Sequence, residues 1–256
     1  MSAIDVIIVA AMEEEIIPFL QRATDVGEPE GVGNSVQRLG VLNGLNTLFV
    51  RGGIGLVNAA GAVTAALLRA ASQDADAPAP LVISAGTAGG LGDSVRVGDV
   101  VVGTVNINAD ADARAFGYVL GQVPGMPASY PAPRFLLDAS DFGTPGYGMV
   151  PTVHRGLIVS SYAFVGHERA AVIKDLFDGV LATDMESSAI AQTARSFNAP
   201  FLAIRGISDL CGPASDADFL THVDDAAERS TEVVAAVLAA WQAAGAPRVA
   251  AATATS

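Results

Sequence analysis

Apolar residues along the chain fall into two alternating kinds of segment. Near-continuous runs such as "IDVIIVA", "NTLFVRGG", "PLVISAG", "VGDVVVGTV", "GLIVSS" and "FLAIRGIS" are rich in Val and Ile, which is the pattern of strands covered on both faces. Between them, "EEEIIPFLQRA", "GLVNAAGAVTAALLRAA" and residues 185–197 repeat apolar positions at three- and four-residue intervals, the pattern of helices with one buried side. The alternation predicts a sheet, largely parallel, with helices packed on it, and it places functional residues at the carboxyl ends of the strands. A further helix is expected over 223–244, followed by a flexible tail at 245–256, so that residues 1–244 form one domain. The segment "GQVPGMPASYPAPRFLLDASDFGTPGYG" is a long Gly- and Pro-rich excursion. A simple strand-to-helix unit does not need it, and loops of that length often serve a site or an interface.

The helix expected at 185–197 carries an oddity. Ala189, Ile190, Thr193, Ala194 and Phe197 line one side, and Glu186, four residues before Ile190, extends that inward row. Two other acidic patches also follow apolar strands: Glu13, Glu14 and Glu15 in "AAMEEEI", and Asp209 in "RGISDLCG", while Asp184 precedes Glu186 in "ATDMESS". Any one of these acids could simply complement the dipole of a helix's first turn. Three patches at strand ends can instead converge on one site. Two carboxyls close together and out of water acquire different pKa values, so one holds a proton while the other acts as base or stabilises positive charge. That pairing suits cleavage of a glycosidic bond, whose transition state is oxocarbenium-like.

Composition removes other classes. At 256 residues and 51% hydrophobic the chain can bury a large core, and 27 acids against 14 bases, a net charge of −13, oppose binding to nucleic acid. No apolar run reaches the roughly 18 to 20 residues of a membrane span. The N-terminus lacks the basic region of a signal peptide, so the cytoplasm is the expected compartment. A single cysteine, Cys211, and three scattered histidines, His154, His167 and His222, offer neither a disulfide nor a metal-ligand spacing, and the histidines are expected on the surface or at caps. The segments "RGGIGLVNAAG" and "SAGTAGGLGD" match no nucleotide-phosphate motif, although Thr87-Ala88-Gly89 could bring backbone N–H groups close to a ligand. Ser208-Asp209 in "ISDL" is no serine-hydrolase elbow. Phe116, Phe164 and Met185 belong by default to the core.

Taken in order, "AAMEEEI", "GGIG", "SAGTAGGL", "VGDVVVG", "DADARAFGYVLGQVPGMP", "RGLIVS", "TDMESSAIA" and "IRGISDL" resemble the 5'-methylthioadenosine/S-adenosylhomocysteine nucleosidases of the purine nucleoside phosphorylase superfamily. The resemblance implies a three-layer α/β/α sandwich with a central mixed, largely parallel sheet, a homodimer, and hydrolytic release of adenine without a cofactor or metal. By matching position, Glu15 would deprotonate the attacking water, Asp209 would protonate adenine with Ser208 positioning it, and Glu186 would hold ribose hydroxyls and stabilise the cationic sugar above Met185. Arg205 would lie near the water and acids, Phe164 and Val165 would bind the base, and Thr87, Ala88 and Gly89 would lie beside sugar and base. Phe116 and Pro124 would reach the partner's 5'-thio pocket, which Phe219 would close. The pattern departs at Ile107, Ala109, Ser161, Tyr162, Asp184 and Gly52.

Three alternatives stay open. A phosphorylase of the same fold needs cationic or amide donors for its anion, and the matched site offers Arg205 and at most Arg51. A futalosine-type nucleosidase would differ only in the 5' pocket. A non-catalytic nucleoside-binding protein would have lost one of the three carboxylates Glu15, Glu186 and Asp209, all of which are present.

Overall fold

The computed structural model describes residues 3–138 and 151–247. Residues 139–148 of the long excursion and 248–256 of the expected tail lie outside them. The described chain runs β1 (Val6–Ala10), α1 (Glu13–Arg22), β2 (Glu30–Val32), β3 (Ser35–Leu42), β4 (Leu45–Arg51), α2 (Leu56–Gln73), β5 (Leu81–Gly90) and β6 (Val100–Asn108). It continues with a 3-10 turn (Arg114–Phe116), β7 (Tyr130–Pro131), α3 (Arg134–Asp138), β8 (Val153–Ser160), α4 (His167–Leu176), β9 (Val180–Asp184), α5 (Ser187–Ser196), β10 (Phe201–Asp209) and α6 (Ser215–Ala243).

The strands form one ten-stranded mixed sheet. Parallel pairing joins β4, β1, β5 and β10, and separately β6, β8 and β9. The two sets meet antiparallel at β10–β6 and β5–β9, so five strands close into a ring from which β1, β4, β3 and β2 extend. Strand side chains alternate between faces, and here both faces are buried. Val6, Ile8 and Ala10 pack with Ile16 and Phe19 of α1 and with Val233, Val237 and Trp241 of α6. Ile7 and Val9 turn the other way, against Ala62, Val63 and Ala66 of α2 and Ile190 and Ala194 of α5. This is the expected helix–sheet–helix layering.

Several elements differ from the expectation. A strand at 35–42 was not predicted, yet Asn43 and Gly44 between β3 and β4 both have positive φ, 51° and 76°, as a two-residue hairpin requires. Segment 87–90 continues β5 and is not a loop after it. Helix α6 begins at Ser215, eight residues before the predicted 223, with Asp216 and Asp218 favourably placed in its first turn. Helix α5 begins at Ser187, which leaves Glu186 at the cap position, φ −135°, and not on an inward helical row. Helix α6 also lies unusually close to the sheet: a Cβ on Gly206 of β10 would sit 1.9 Å from the carbonyl oxygen of Ala226. No larger residue could stand there without pushing α6 off the strand that ends at Asp209.

Candidate active site

Glu15, Asp184, Glu186 and Asp209 all line one cavity of about 350 Å³ at the carboxyl ends of β1, β5, β9 and β10. Each arrives by a different local device. Glu15 is the third residue of α1, and its carboxylate reaches back to accept the N–H of Met12 (3.1 Å), the helix-capping bond of that position, and the N–H of Ala11 (2.9 Å). Its other oxygen accepts the backbone N–H (2.8 Å) and the hydroxyl (2.9 Å) of Thr87 on β5. Four donors surround a side chain only 2% exposed, so the same bonds that start the helix also hold an acceptor at the cavity floor. The backbone must pass very close: a Cβ on Gly86, whose φ is 141°, would lie 2.5 Å from Glu15 Oε1 and 2.7 Å from Arg205 Nη1.

The β9–α5 junction carries the second group. Asp184 ends β9, accepts the Ser160 hydroxyl (2.5 Å) and the Ser187 N–H (3.2 Å), and pairs with Arg205 at 2.9 Å. It thereby does the capping of α5 that Glu186 does not. Glu186 is free to point elsewhere, and it accepts the N–H of Gly55 at the start of α2 (2.9 Å) while lying 3.7 Å from Arg205. Burial pushes its carboxyl up to about 7, with Arg205 opposing and the like charges of Asp184 and Glu15 adding to the rise. Arg205 is itself buried and donates to Ser84 Oγ (2.6 Å) and the Ala85 carbonyl (3.2 Å). It lies beneath the acids and does not line the cavity.

Asp209, the last residue of β10, accepts the Ser208 hydroxyl (3.1 Å) and the Cys211 N–H (2.9 Å). Burial raises its carboxyl from the ordinary aspartate value, with those hydrogen bonds opposing, a shift in the direction of the protonated form. Cys211 was given no site role from sequence, yet it lines the cavity beside Asp209. Burial and that carboxylate push its thiol well above its ordinary value, so it is no nucleophile.

The remaining expected residues divide. Thr87, Ala88, Gly89, Met185, Phe164, Val165, Ser208 and Phe219 line the cavity. Phe164 and Phe219 meet edge to face at its rim, with centroids 6.2 Å apart and planes at 76°. Phe116 is 84% exposed and Pro124 is also exposed, and neither lines this chain's own cavity. Ala11, Met12, Ile54, Thr183, Asp216 and Leu220 line it without having been predicted. The spacing of Asp216, Phe219 and Leu220 at i, i+3 and i+4 was the available signal for the last of these, once the helix is started early enough.

The departures also find places. Ile107 and Ala109 pack against the cluster of Val159, Val165 and Phe177. Ser161 joins Asp110 and Arg169 in a polar network, and the Tyr162 hydroxyl accepts the N–H of Val57 (3.1 Å) at the start of α2. Gly52 has no room for the polar side chain expected there, since a Cβ would stand 2.8 Å from that of Ala62. Among the histidines, His154 has a partner, Asp99 at 2.8 Å.

Comparison with known proteins identifies the family. Residues 5–239 match the family model described as the phosphorylase superfamily. A 5'-methylthioadenosine/S-adenosylhomocysteine nucleosidase of Anoxybacillus flavithermus is 37% identical over 232 residues, covering 90% of this chain and 96% of the relative. The structure of such a nucleosidase from Neisseria meningitidis in complex with methylthio-immucillin-A superimposes with a TM-score of 0.82 at 35% identity, covering 91% of this chain and 98% of that one. The Colwellia psychrerythraea enzyme in complex with adenine gives 0.84 at 30% identity, over 93% and 96%. A cavity floored by carboxyls, on this fold and with these relatives, leads to one assignment: the chain belongs to the 5'-methylthioadenosine/S-adenosylhomocysteine nucleosidases, N-glycosidic hydrolases of the phosphorylase superfamily.

Proposed function

We propose that the chain hydrolyses the N-glycosidic bond of 5'-methylthioadenosine and S-adenosylhomocysteine, with Asp209 as general acid, Glu15 as general base and Glu186 as the stabiliser of the cationic sugar. The single observation that carries this reading is the unequal environment of carboxyls in one cavity: Glu15 is surrounded by four donors, while burial favours the protonated form of Asp209. Asp209 gives its proton to the purine at N7 as the bond from C1' to N9 breaks and its electron pair moves into the base. The ribosyl cation is stabilised by the Glu186 carboxylate. Water then bonds to C1' and loses a proton to Glu15, so adenine and the 5'-thioribose leave with the elements of water divided between them. The ring of Phe164 suits a purine face, and Phe219, edge to face with it, stands toward the 5' pocket.

Water is favoured over phosphate on electrostatic grounds. Among the described residues, every charged residue that lines the cavity is acidic: Glu15, Asp184, Glu186, Asp209 and Asp216. Arg205 is committed to Asp184, and Arg51 pairs with Glu13 at 2.9 Å. A phosphate dianion would enter without an uncommitted cation to receive it.

The exposure of Phe116, together with Pro124 on an outer loop, supports a homodimer in which both complete the partner's 5' pocket. A sedimentation mass of twice 25.9 kDa would agree with it and a monomer mass would not. No helix among the described residues is long and apolar enough to cross a membrane. A free buried thiol and small nucleoside substrates fit a cytoplasmic enzyme of methionine salvage. The deciding experiment is chromatographic detection of adenine from methylthioadenosine with and without phosphate. Release of adenine and free methylthioribose in both is the expected result; release only with phosphate would make the chain a phosphorylase.

A further inference from the structure

The five acids of the cavity are not equally occupied. Glu15, Asp184, Glu186 and Asp209 are buried and each accepts hydrogen bonds from the surrounding protein. Asp216 is different: it is exposed, and among the described residues no hydrogen bond or ion pair engages its carboxylate. It is the second residue of α6, and Phe219 and Leu220, three and four positions on, share its side of the helix and line the cavity with it. The exposed lining residues, Ile54, Ala163, Phe164, Asp216 and Leu220, together mark the rim. This chain's described share of the rim is therefore apolar except for one uncommitted negative charge.

If Phe219 closes the 5' pocket, as the family resemblance implies, a 5' substituent would leave the buried sugar beside Asp216 on the same side of α6. A methylthio group would end among the apolar side chains. An aminocarboxypropyl group on the same sulfur carries an ammonium three carbons further, and that cation would find Asp216 as its counter-charge, with its own carboxylate turned to water and away from the acidic wall. We propose that Asp216 is a specificity-determining residue that recognises the ammonium of an α-amino-acid tail on the 5' sulfur and so favours S-adenosylhomocysteine relative to methylthioadenosine. The assignment rests on the nucleosidase function proposed above.

The test is the ratio of kcat/KM for S-adenosylhomocysteine to that for methylthioadenosine, which cancels any general loss of activity. An exposed ion pair of this kind contributes modestly, so Asp216→Asn is expected to lower the ratio about two- to fivefold, and Asp216→Lys to lower it further. The ratio of the native enzyme should also fall as salt rises from low to about 0.5 M, and that of Asp216→Asn should not. A ratio unchanged in both variants would overturn the proposal while leaving the nucleosidase reading intact. Failure of the native chain to release adenine from either nucleoside would overturn both.

Discussion

Two strand-to-helix junctions of this molecule begin from the same ingredients and end differently. At β1–α1 and at β9–α5 a glutamate stands at the start of a helix and is buried at the floor of the same cavity. Glu15 accepts four hydrogen bonds and caps its own helix. Glu186 accepts one, because Asp184 has taken over the capping of α5, and its carboxyl is pushed up to about 7 by burial beside Asp184 and Glu15. Donor supply, more than residue type or position, separates an acceptor held by four bonds from one held by a single bond. An enzyme that must stabilise a cation, take a proton and give one can divide those tasks among carboxyls in this way.

The comparison can be broken most severely at Glu15. In Glu15→Gln an amide replaces the acceptor that faces three backbone N–H groups, and no base remains for the water. Adenine release is expected to fall by about 10² to 10⁴-fold while an inhibitor that fills the cavity still binds. Turnover within tenfold of the native rate would remove Glu15 from its assigned role.

A more moderate effect is expected from pH acting on Glu186. Its folded-state value of about 7 lies above the ordinary 4.5, so between those pH values the unfolded chain has released the proton and the folded chain still holds it. Stability must then fall as pH rises through that window and level off above it. Thermal unfolding midpoints measured from pH 4.5 to 8 should show this decline in the native chain, over and above any from Asp209, and a shallower one in Glu186→Gln. Parallel curves would mean that the burial of Glu186 has no energetic consequence.

The smallest change comes from Tyr162→Phe, which removes the acceptor for the Val57 N–H at the start of α2, next to the Gly55 N–H that holds Glu186. One exposed hydrogen bond is worth at most about 0.5 to 1 kcal/mol, so a small drop in Tm and a rise of about two- to fivefold in KM for methylthioadenosine are expected. An unchanged KM would show that the strap between the loop at 161–165 and α2 does not steady the site.

What could be read from the chain was local. Periodicity marked β1, α1, α2, β5, β6 and β10 because both faces of each central strand are buried and each helix hides one side. Strand β3 was not read from apolar runs because Gln37 and Arg38 interrupt it, although the Asn43-Gly44 pair signals the hairpin. The early start of α6 was obscured because "SDADFLTH" is mostly polar, and its large apolar residues, Phe219 and Leu220, face a cavity and not the core.

The sequence by itself determined that acids stand at three strand ends, and ordered motifs determined the family, since both depend only on residue type and spacing. Which acid is saturated with donors, which is raised toward neutrality and which is left uncommitted at the rim was decided by the tertiary structure alone. Glu186 meets Gly55 across 131 residues of chain, and Glu15 meets Thr87 across 72. Desolvation and hydrogen bonding from such distant segments set the charge state of a carboxyl, and no spacing along the chain encodes them.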